Sequence, residues 1–122
     1  MRSTQAFLHR YTIVNSTVTI APLASYAANF TVPTNESSAS LTIYISSSQP
    51  VFVYVVNSSE LTSLMRSGGA PSLLYEPNVT SLRVTQGLPG PGSYSIVIMN
   101  KAALSTVKVT VVAYIEAKRT PS

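Results

Sequence analysis

The sequence predicts an all-β domain, folded as an antiparallel two-sheet β-sandwich. Apolar and polar residues alternate with a period of two along most of the chain, which is typical of strands with one dry face and one wet face. Proline- and glycine-containing turn sequences separate these stretches, and only one stretch has helical spacing. A length of 122 residues fits one domain and leaves no room for two independent cores.

Seven or eight strands are predicted. Residues 40–46 are the clearest case, because Leu41, Ile43 and Ile45 alternate with polar residues. Residues 51–56 are apolar on both faces, which indicates a central strand that is covered on both sides. This number and spacing of strands favours an immunoglobulin-like or jelly-roll-like sandwich. In chain order, the predicted strands lie near residues 8–14, 17–21, 28–32, 40–46, 51–56, 79–85, 93–99 and 105–115.

One short helix is predicted near residues 59–67. Ser58 or Ser59 can cap its first turn, and Gly68 can end it. Its apolar residues recur at positions i, i+3 and i+4, so they are predicted to be core. We expect this helix to close one end of the sandwich. The apolar stripe consists of Leu61, Leu64 and Met65.

The densest turn sequence is residues 87–93, which read Gly-Leu-Pro-Gly-Pro-Gly-Ser. It leads directly into Tyr94 at the start of a strand. We expect the Tyr94 ring to pack inside and its hydroxyl to reach the backbone, as in the tyrosine corner of sandwich domains.

Residues 1–122 are predicted to form a single domain with its core at about 8–117, and residues 1–6 and 118–122 are expected to be flexible. The chain has no cysteine, and a domain of this size folds without disulfides. No stretch approaches the ~20 apolar residues of a transmembrane helix, and no signal peptide precedes the strands. If the domain is external, its export or anchor segment is expected to lie outside this chain.

Charged residues make up only 10% of the chain, against about 25% in an average soluble domain. The four carboxylates are all glutamates, whereas serine and threonine together number 32. The eight basic residues are scattered, so the net charge of +4 does not indicate nucleic-acid binding, which needs a dense basic patch.

Asparagine occurs six times, and five of these residues begin an Asn-x-Ser/Thr acceptor sequence without proline in the middle. With this serine and threonine content, chance predicts about one or two of six. The set predicts an exported, N-glycosylated chain, which implies an archaeal or eukaryotic source. The candidate acceptors are Asn15, Asn29, Asn35, Asn57 and Asn78.

The order of a half-apolar strand, a fully apolar strand, a short helix and the motif Pro91-Gly92-Ser93-Tyr94-Ser95-Ile96 resembles the pre-peptidase C-terminal domain of secreted bacterial and archaeal proteins. The likeness covers about residues 28–115. It implies a non-catalytic module that accompanies exported hydrolases or surface proteins. Many members carry an aspartate-rich stretch, in some cases associated with calcium. The matching residues 46–50 contain no carboxylate, so no calcium site is expected here.

No catalytic, metal or cofactor site is predicted. His9 is the only histidine, and the chain has no aspartate to orient it and no Gly-x-Ser-x-Gly turn. The four glutamates are isolated in sequence, whereas a hard-cation site needs carboxylates close together. Prolines alternate with Gly87, Gly90 and Gly92 and remove the amides that a phosphate loop uses.

The leading hypothesis is a structural or protein-interaction module of a secreted or cell-surface protein, part of a larger or membrane-anchored chain. Its expected partners are other cell-envelope proteins or glycans. The alternative is a carbohydrate- or peptide-binding module that uses exposed tyrosines as stacking platforms. Tyr44 and Tyr114 are the better candidates because alternation turns both away from the dry face; the others are Tyr11, Tyr26 and Tyr75.

Two structural criteria separate these hypotheses. Three or more tyrosines in one plane on one sheet face would favour binding, whereas scattered tyrosines favour the structural role. A homo-oligomer is a third hypothesis, because Val97, Met99 and Val112 lie on nominally wet faces and a second chain could cover them.

Overall fold

The computed structural model describes residues 7–33, 36–67 and 72–119, with side chains at 10–33, 39–66 and 72–117. Within them, a 3₁₀ turn at Ser58–Glu60 precedes the single α-helix, α1, at Leu61–Ser67. The six strands are β1 (Phe7–Ile20), β2 (Ser25–Val32), β3 (Glu36–Asn57), β4 (Leu74–Leu88), β5 (Gly92–Met99) and β6 (Val107–Arg119).

The strands form one antiparallel sheet in the order β1-β6-β3-β5-β2, and β4 pairs with β3. The first half of β3 pairs with β6, and its second half pairs with β5. Because β3 takes a different neighbour along each half, the sheet curls into a half-barrel. The all-β, antiparallel prediction is therefore confirmed, whereas the strands join in one continuous sheet instead of two separate ones.

The seven or eight predicted strands appear as six because two pairs are continuous. The predicted strands at 8–14 and 17–21 are both parts of β1, and those at 40–46 and 51–56 are both parts of β3. The expected break in β3 is a register shift between Ser46 and Val51. Inside it, the Ser47 hydroxyl donates to the carbonyl oxygen of Gln49 at 2.5 Å. Serine and proline thus form a bulge here, where the sequence predicted a turn.

The core fills the inside of the curl. Leu41 and Ile43 are fully buried and Ile45 is 3% exposed, so the predicted dry face of this strand is confirmed. The same alternation operates on β6, whose inward residues include Val107, Val109 and Val111. Burying such a side chain contributes roughly 1.5–3 kcal/mol, and the inner face holds most of the buried apolar residues of the fold.

The helix lies against the outer face of the sheet, not at one end of it as predicted. Leu64 is fully buried and packs with Tyr54, Val56, Val97 and Met99 in a second, smaller cluster. Met65 is 44% exposed, so its predicted place in the core is wrong. Ser58 and Ser59, the predicted caps, lie inside the 3₁₀ turn, and Asn57, which precedes that turn, makes no capping hydrogen bond with its side chain.

This cluster also explains two residues that suggested an oligomer. Val97 is fully buried and Met99 is 8% exposed within the single chain, because α1 covers them. Their apolar character therefore needs no second chain. Val112 is half-buried on the part of the outer face that the helix does not cover.

Tyr94 forms the predicted corner. Its ring is 2% exposed and stacks on Phe30 at a centroid distance of 5.6 Å. Its hydroxyl donates to the carbonyl oxygen of Gly90 at 2.5 Å. Gly92 has a φ of +147°, which a residue with a Cβ atom rarely adopts, so the turn needs glycine there.

Replacing Tyr94 by phenylalanine should lower the free energy of unfolding by about 1 kcal/mol, because the half-buried Gly90 carbonyl loses its donor. Urea unfolding measures the change. The matched control is Tyr26→Phe, since the half-buried Tyr26 hydroxyl has no hydrogen-bond partner among the described residues and should change stability by less than about 0.5 kcal/mol. Equal losses from the two variants would contradict the corner.

Candidate functional site

Four of the five candidate glycan acceptors lie within the described residues, and all four side chains are exposed. Asn15 is on β1, Asn29 on β2 and Asn78 on β4, and Asn57 is the last residue of β3. Asn35 lies outside the described residues. Alternation turns Asn15 and Asn29 away from the core, whereas Asn78 is exposed in a bulge and Asn57 is exposed at the end of its strand. The four amides are therefore accessible from solvent.

Asn78 lies in a bulge of β4. Val51 pairs with Val79 and Val53 pairs with Glu76, so two residues of β4 face only one residue of β3 at this point. Asn78 has a φ of +57°, and asparagine tolerates this left-handed conformation better than most residues. The bulge leaves Asn78 outside the regular ladder, with its side chain in solvent.

Asn29 is the only described acceptor with a side-chain hydrogen bond that fixes it to the sheet. The Ser95 hydroxyl on β5 donates to Asn29 Oδ1 at 2.5 Å. This bond holds the amide in one orientation and leaves Nδ2, the atom to which an N-linked glycan is attached, without a partner.

Asn100, the asparagine without an acceptor sequence, has the opposite environment. It is 2% exposed, and its Nδ2 donates to the carbonyl oxygens of Ile20, Ala21 and Ser105 at 2.7–3.1 Å. Its Oδ1 accepts the backbone N–H of Ala102 at 3.1 Å. Asn100 therefore joins the β1–β2 turn to the β5–β6 loop and has a structural role.

The two best tyrosine candidates lie side by side on the outer face of the sheet. Tyr44 on β3 and Tyr114 on β6 have ring centroids 6.4 Å apart and an interplanar angle of 26°. The Arg10 guanidinium lies 4.3 Å from the centroid of Tyr114, and the Arg83 guanidinium lies 5.3 Å from that of Tyr44. Glu116 holds Arg10 in place through an ion pair at 3.3 Å.

The order of the strands shows which ring faces are covered. Arg10 is on β1 and Arg83 is on β4, so each arginine lies on the side of its tyrosine away from the other tyrosine. The row Arg10–Tyr114–Tyr44–Arg83 is therefore a continuous stack, and each ring has a neighbour on both faces. Sequence alternation correctly turned both tyrosines outward, but the arginines reach them only through long-range pairing.

Tyr44 and Tyr114 should be energetically coupled. A double-mutant cycle with Tyr44→Ala and Tyr114→Ala, measured by urea unfolding, should give a coupling free energy of about 0.5–1.5 kcal/mol because the rings stack. In the control cycle, Tyr44→Ala is paired with Tyr75→Ala, whose ring stacks on Phe52 and Tyr54 instead. Strict additivity of Tyr44 with Tyr114 would show that the stack contributes nothing.

A second aromatic group, which the sequence did not predict, lies elsewhere on the outer face. Tyr54 and Tyr75 have ring centroids 4.9 Å apart, and Phe52 stacks on Tyr75 at 6.5 Å. Lys101 Nζ lies 4.1 Å from the Phe52 centroid and donates to the Tyr54 hydroxyl at 3.3 Å. Four of the seven tyrosines therefore lie in two separate pairs, Tyr44 with Tyr114 and Tyr54 with Tyr75, and no single plane of three tyrosines forms.

A hollow lies between β1 and β2, the two strands that face each other across the open side of the half-barrel. It has a volume of about 260 Å³. Both apolar and polar residues line this hollow, and Asn29 is one of them. The other lining residues are Tyr11, Thr12, Ile13, Phe30, Thr31, Pro33 and Ile115.

The part of the chain that the structure describes contains no group of three or more His, Cys, Asp or Glu residues that could hold a metal ion. The His9 side chain lies outside the described side chains. Within the described residues, no helix has the length and apolar character needed to cross a membrane.

The chain matches no protein-family model, and no curated protein matches it. Among solved structures, it is similar to the mitogen of Yersinia pseudotuberculosis at 11% identity and a TM-score of 0.48, over 97% of this chain and 89% of the mitogen. It is also similar to a β-porphyranase of glycoside hydrolase family 86 from Bacteroides plebeius, at 14% identity and a TM-score of 0.50. That match covers 98% of this chain and 22% of the enzyme, and it shows a shared fold alone.

Proposed function

We propose that this chain is a non-catalytic module that works outside the cell and carries N-linked glycans. Its role is structural or protein-binding, within a larger or membrane-anchored surface protein of an archaeal or eukaryotic source. Its partners are other envelope proteins or glycans.

One observation carries this proposal: the division of the asparagines by environment. Every described asparagine with an acceptor sequence is exposed, and Asn100, which lacks one, is buried and fully hydrogen-bonded. A glycan is bulky and hydrophilic, so an acceptor must project into solvent in the folded domain. Five acceptors among six asparagines, with this distribution, are typical of an exported and glycosylated chain.

The fold supports the family resemblance at its most specific motif. Tyr94 of the Pro-Gly-Ser-Tyr-Ser-Ile motif forms a buried corner, as sandwich domains do. Within this proposal the two layers of the sandwich are the halves of the curled sheet. One layer is built on the first half of β3 with β6 and β1, and the other is built on its second half with β5 and β2.

The alternative, a carbohydrate- or peptide-stacking surface, receives less support from the geometry. A sugar ring stacks on a free aromatic face, whereas the faces of Tyr44 and Tyr114 are occupied by each other and by Arg10 and Arg83. The absence of three coplanar tyrosines on one sheet face also favours the structural role.

Cell fractionation tests the proposed location. Antibody detection of the native protein in its source organism should place it in the medium or the membrane fraction, and protease added to intact cells should remove it. A cytosolic reference protein in the same samples should stay intact. Protection of the protein inside intact cells, together with its recovery in the cytosol, would refute the proposal.

A further inference from the structure

Three described strands form the free edges of the sheet: β1, β2 and β4 each pair with only one neighbour. Each of these edge strands carries one acceptor asparagine, namely Asn15, Asn29 and Asn78. Asn57 differs, because it ends β3, which has neighbouring strands on both sides and is not an edge strand. A free edge presents unpaired N–H and C=O groups to which a strand of another molecule can bond.

Two of the edges carry other features that oppose such pairing. β4 contains Pro77, the bulge at Asn78 and the charged residue Arg83. β1 carries the charge of Arg10 and a register shift between Thr12 and Val14. Proline, charge and bulges are the usual means by which natural sheets prevent edge-to-edge association.

The β2 edge has none of these features. Its eight residues, Ser-Tyr-Ala-Ala-Asn-Phe-Thr-Val, contain no charge and no proline. They pair with β5 in unbroken register from Ser25–Met99 to Val32–Gly92. A regular, uncharged segment rich in β-forming residues is the kind of strand that adds to another sheet.

Asn29 lies in the middle of this strand and on the lining of the hollow between β1 and β2. Its side chain is exposed, and the Ser95 hydroxyl fixes its Oδ1. A glycan on its Nδ2 therefore starts at the centre of the unprotected edge.

We propose that the N-linked glycan on Asn29 covers the free edge of β2 and prevents that edge from pairing with the β2 strand of a second copy of this chain. This inference rests on the proposed function, because it requires an exported, glycosylated chain. It assigns to Asn29 a role that Asn15 and Asn78 share only in part, since charge, proline or a bulge already protects the edges of β1 and β4.

The test compares variants of the chain secreted from a eukaryotic host, after mass spectrometry has measured the occupancy of each acceptor. Asn29→Gln and Thr31→Ala both remove the acceptor, and Thr31→Ala retains the Asn29 side chain. Thr31→Ser keeps the acceptor sequence and a hydroxyl near Ser93, and Asn57→Gln removes a glycan away from the edges. Light scattering coupled to gel filtration measures association of each purified protein.

Asn29→Gln and Thr31→Ala should each strengthen self-association by about tenfold or more, whereas Thr31→Ser and Asn57→Gln should remain as monomeric as the parent chain. Asn29→Lys should also remain monomeric, because a charge replaces the glycan as the obstacle at the edge. The parent chain made without glycosylation should associate as Asn29→Gln does.

Two results would overturn the inference and leave the proposed function intact. In one, Asn29 is occupied and Asn29→Gln stays monomeric. In the other, Asn57→Gln associates as strongly as Asn29→Gln. Absence of glycan at every acceptor of the native protein from its source organism would instead refute the proposed function itself.

Discussion

Replacing Asn100 by alanine should lower the free energy of unfolding by about 2–4 kcal/mol, one of the two largest effects expected of a single substitution in this protein. The Asn100 side chain makes four hydrogen bonds, to Ile20, Ala21, Ser105 and Ala102, and is 2% exposed. Alanine leaves the Ala102 N–H and three carbonyl oxygens without this partner; the Ile20 carbonyl is buried, and the other bonds are part-buried.

Urea unfolding of protein made without glycosylation measures this effect. Asn57→Ala is the matched control, because the exposed Asn57 side chain makes no capping hydrogen bond, and it should change stability by less than about 0.5 kcal/mol. Asn100→Asp should be at least as destabilising as Asn100→Ala, because a carboxylate would face carbonyl oxygens and repel them. Similar losses at positions 100 and 57 would contradict the assigned role of Asn100.

Replacing Leu64 by alanine should lower the free energy of unfolding by about 2–5 kcal/mol. Leu64 is fully buried and attaches the only described helix to the outer face of the sheet, over Val56, Val97 and Met99. The truncation leaves a cavity and weakens the cover over these residues. The variant should therefore also bind a hydrophobic dye such as ANS more strongly than the parent chain does.

Met65→Ala is the control for the helix, because Met65 is the next residue and is 44% exposed. It should cost less than about 1 kcal/mol and leave dye binding unchanged. If Met65→Ala proved as damaging as Leu64→Ala, the helix would have to lie on the sheet in a different rotation. If Leu64→Ala left dye binding unchanged, Val97 and Met99 would need another cover.

The local sequence pattern was sufficient to predict the all-β fold class and the residues on the inner face of the sheet. The alternation around Leu41, Ile43 and Ile45 requires only that strands present successive residues to opposite faces. The Tyr94 corner was also predictable, because a proline- and glycine-rich turn before a tyrosine restricts where the ring and the hydroxyl can lie.

Long-range features were not predictable from local pattern. Ser46 to Pro50 has a composition that suits both a turn and a bulge, and the pairing of β3 with β4 and β6 decides between them. An apolar residue such as Val97 on a wet face indicates a cover but not its source, and here the cover is the chain's own helix. The stacking of Arg10 on Tyr114 depends on the pairing of β1 with β6, residues about a hundred positions apart.

The roles of the asparagines were predictable only in part from the sequence. The acceptor sequences at Asn15, Asn29 and Asn78 are readable directly, whereas their positions on three different free edges depend on strand order. The structural role of Asn100 likewise depends on two loops that meet only in the fold.

Site-specific glycopeptide mapping of the native protein from its source organism tests the central claim most directly. We predict hexose-containing additions on several of Asn15, Asn29, Asn35, Asn57 and Asn78, with Asn29 among the occupied positions and Asn100 unmodified. A native protein that carries no glycan at any of the five positions would contradict the account of an exported, glycosylated surface module.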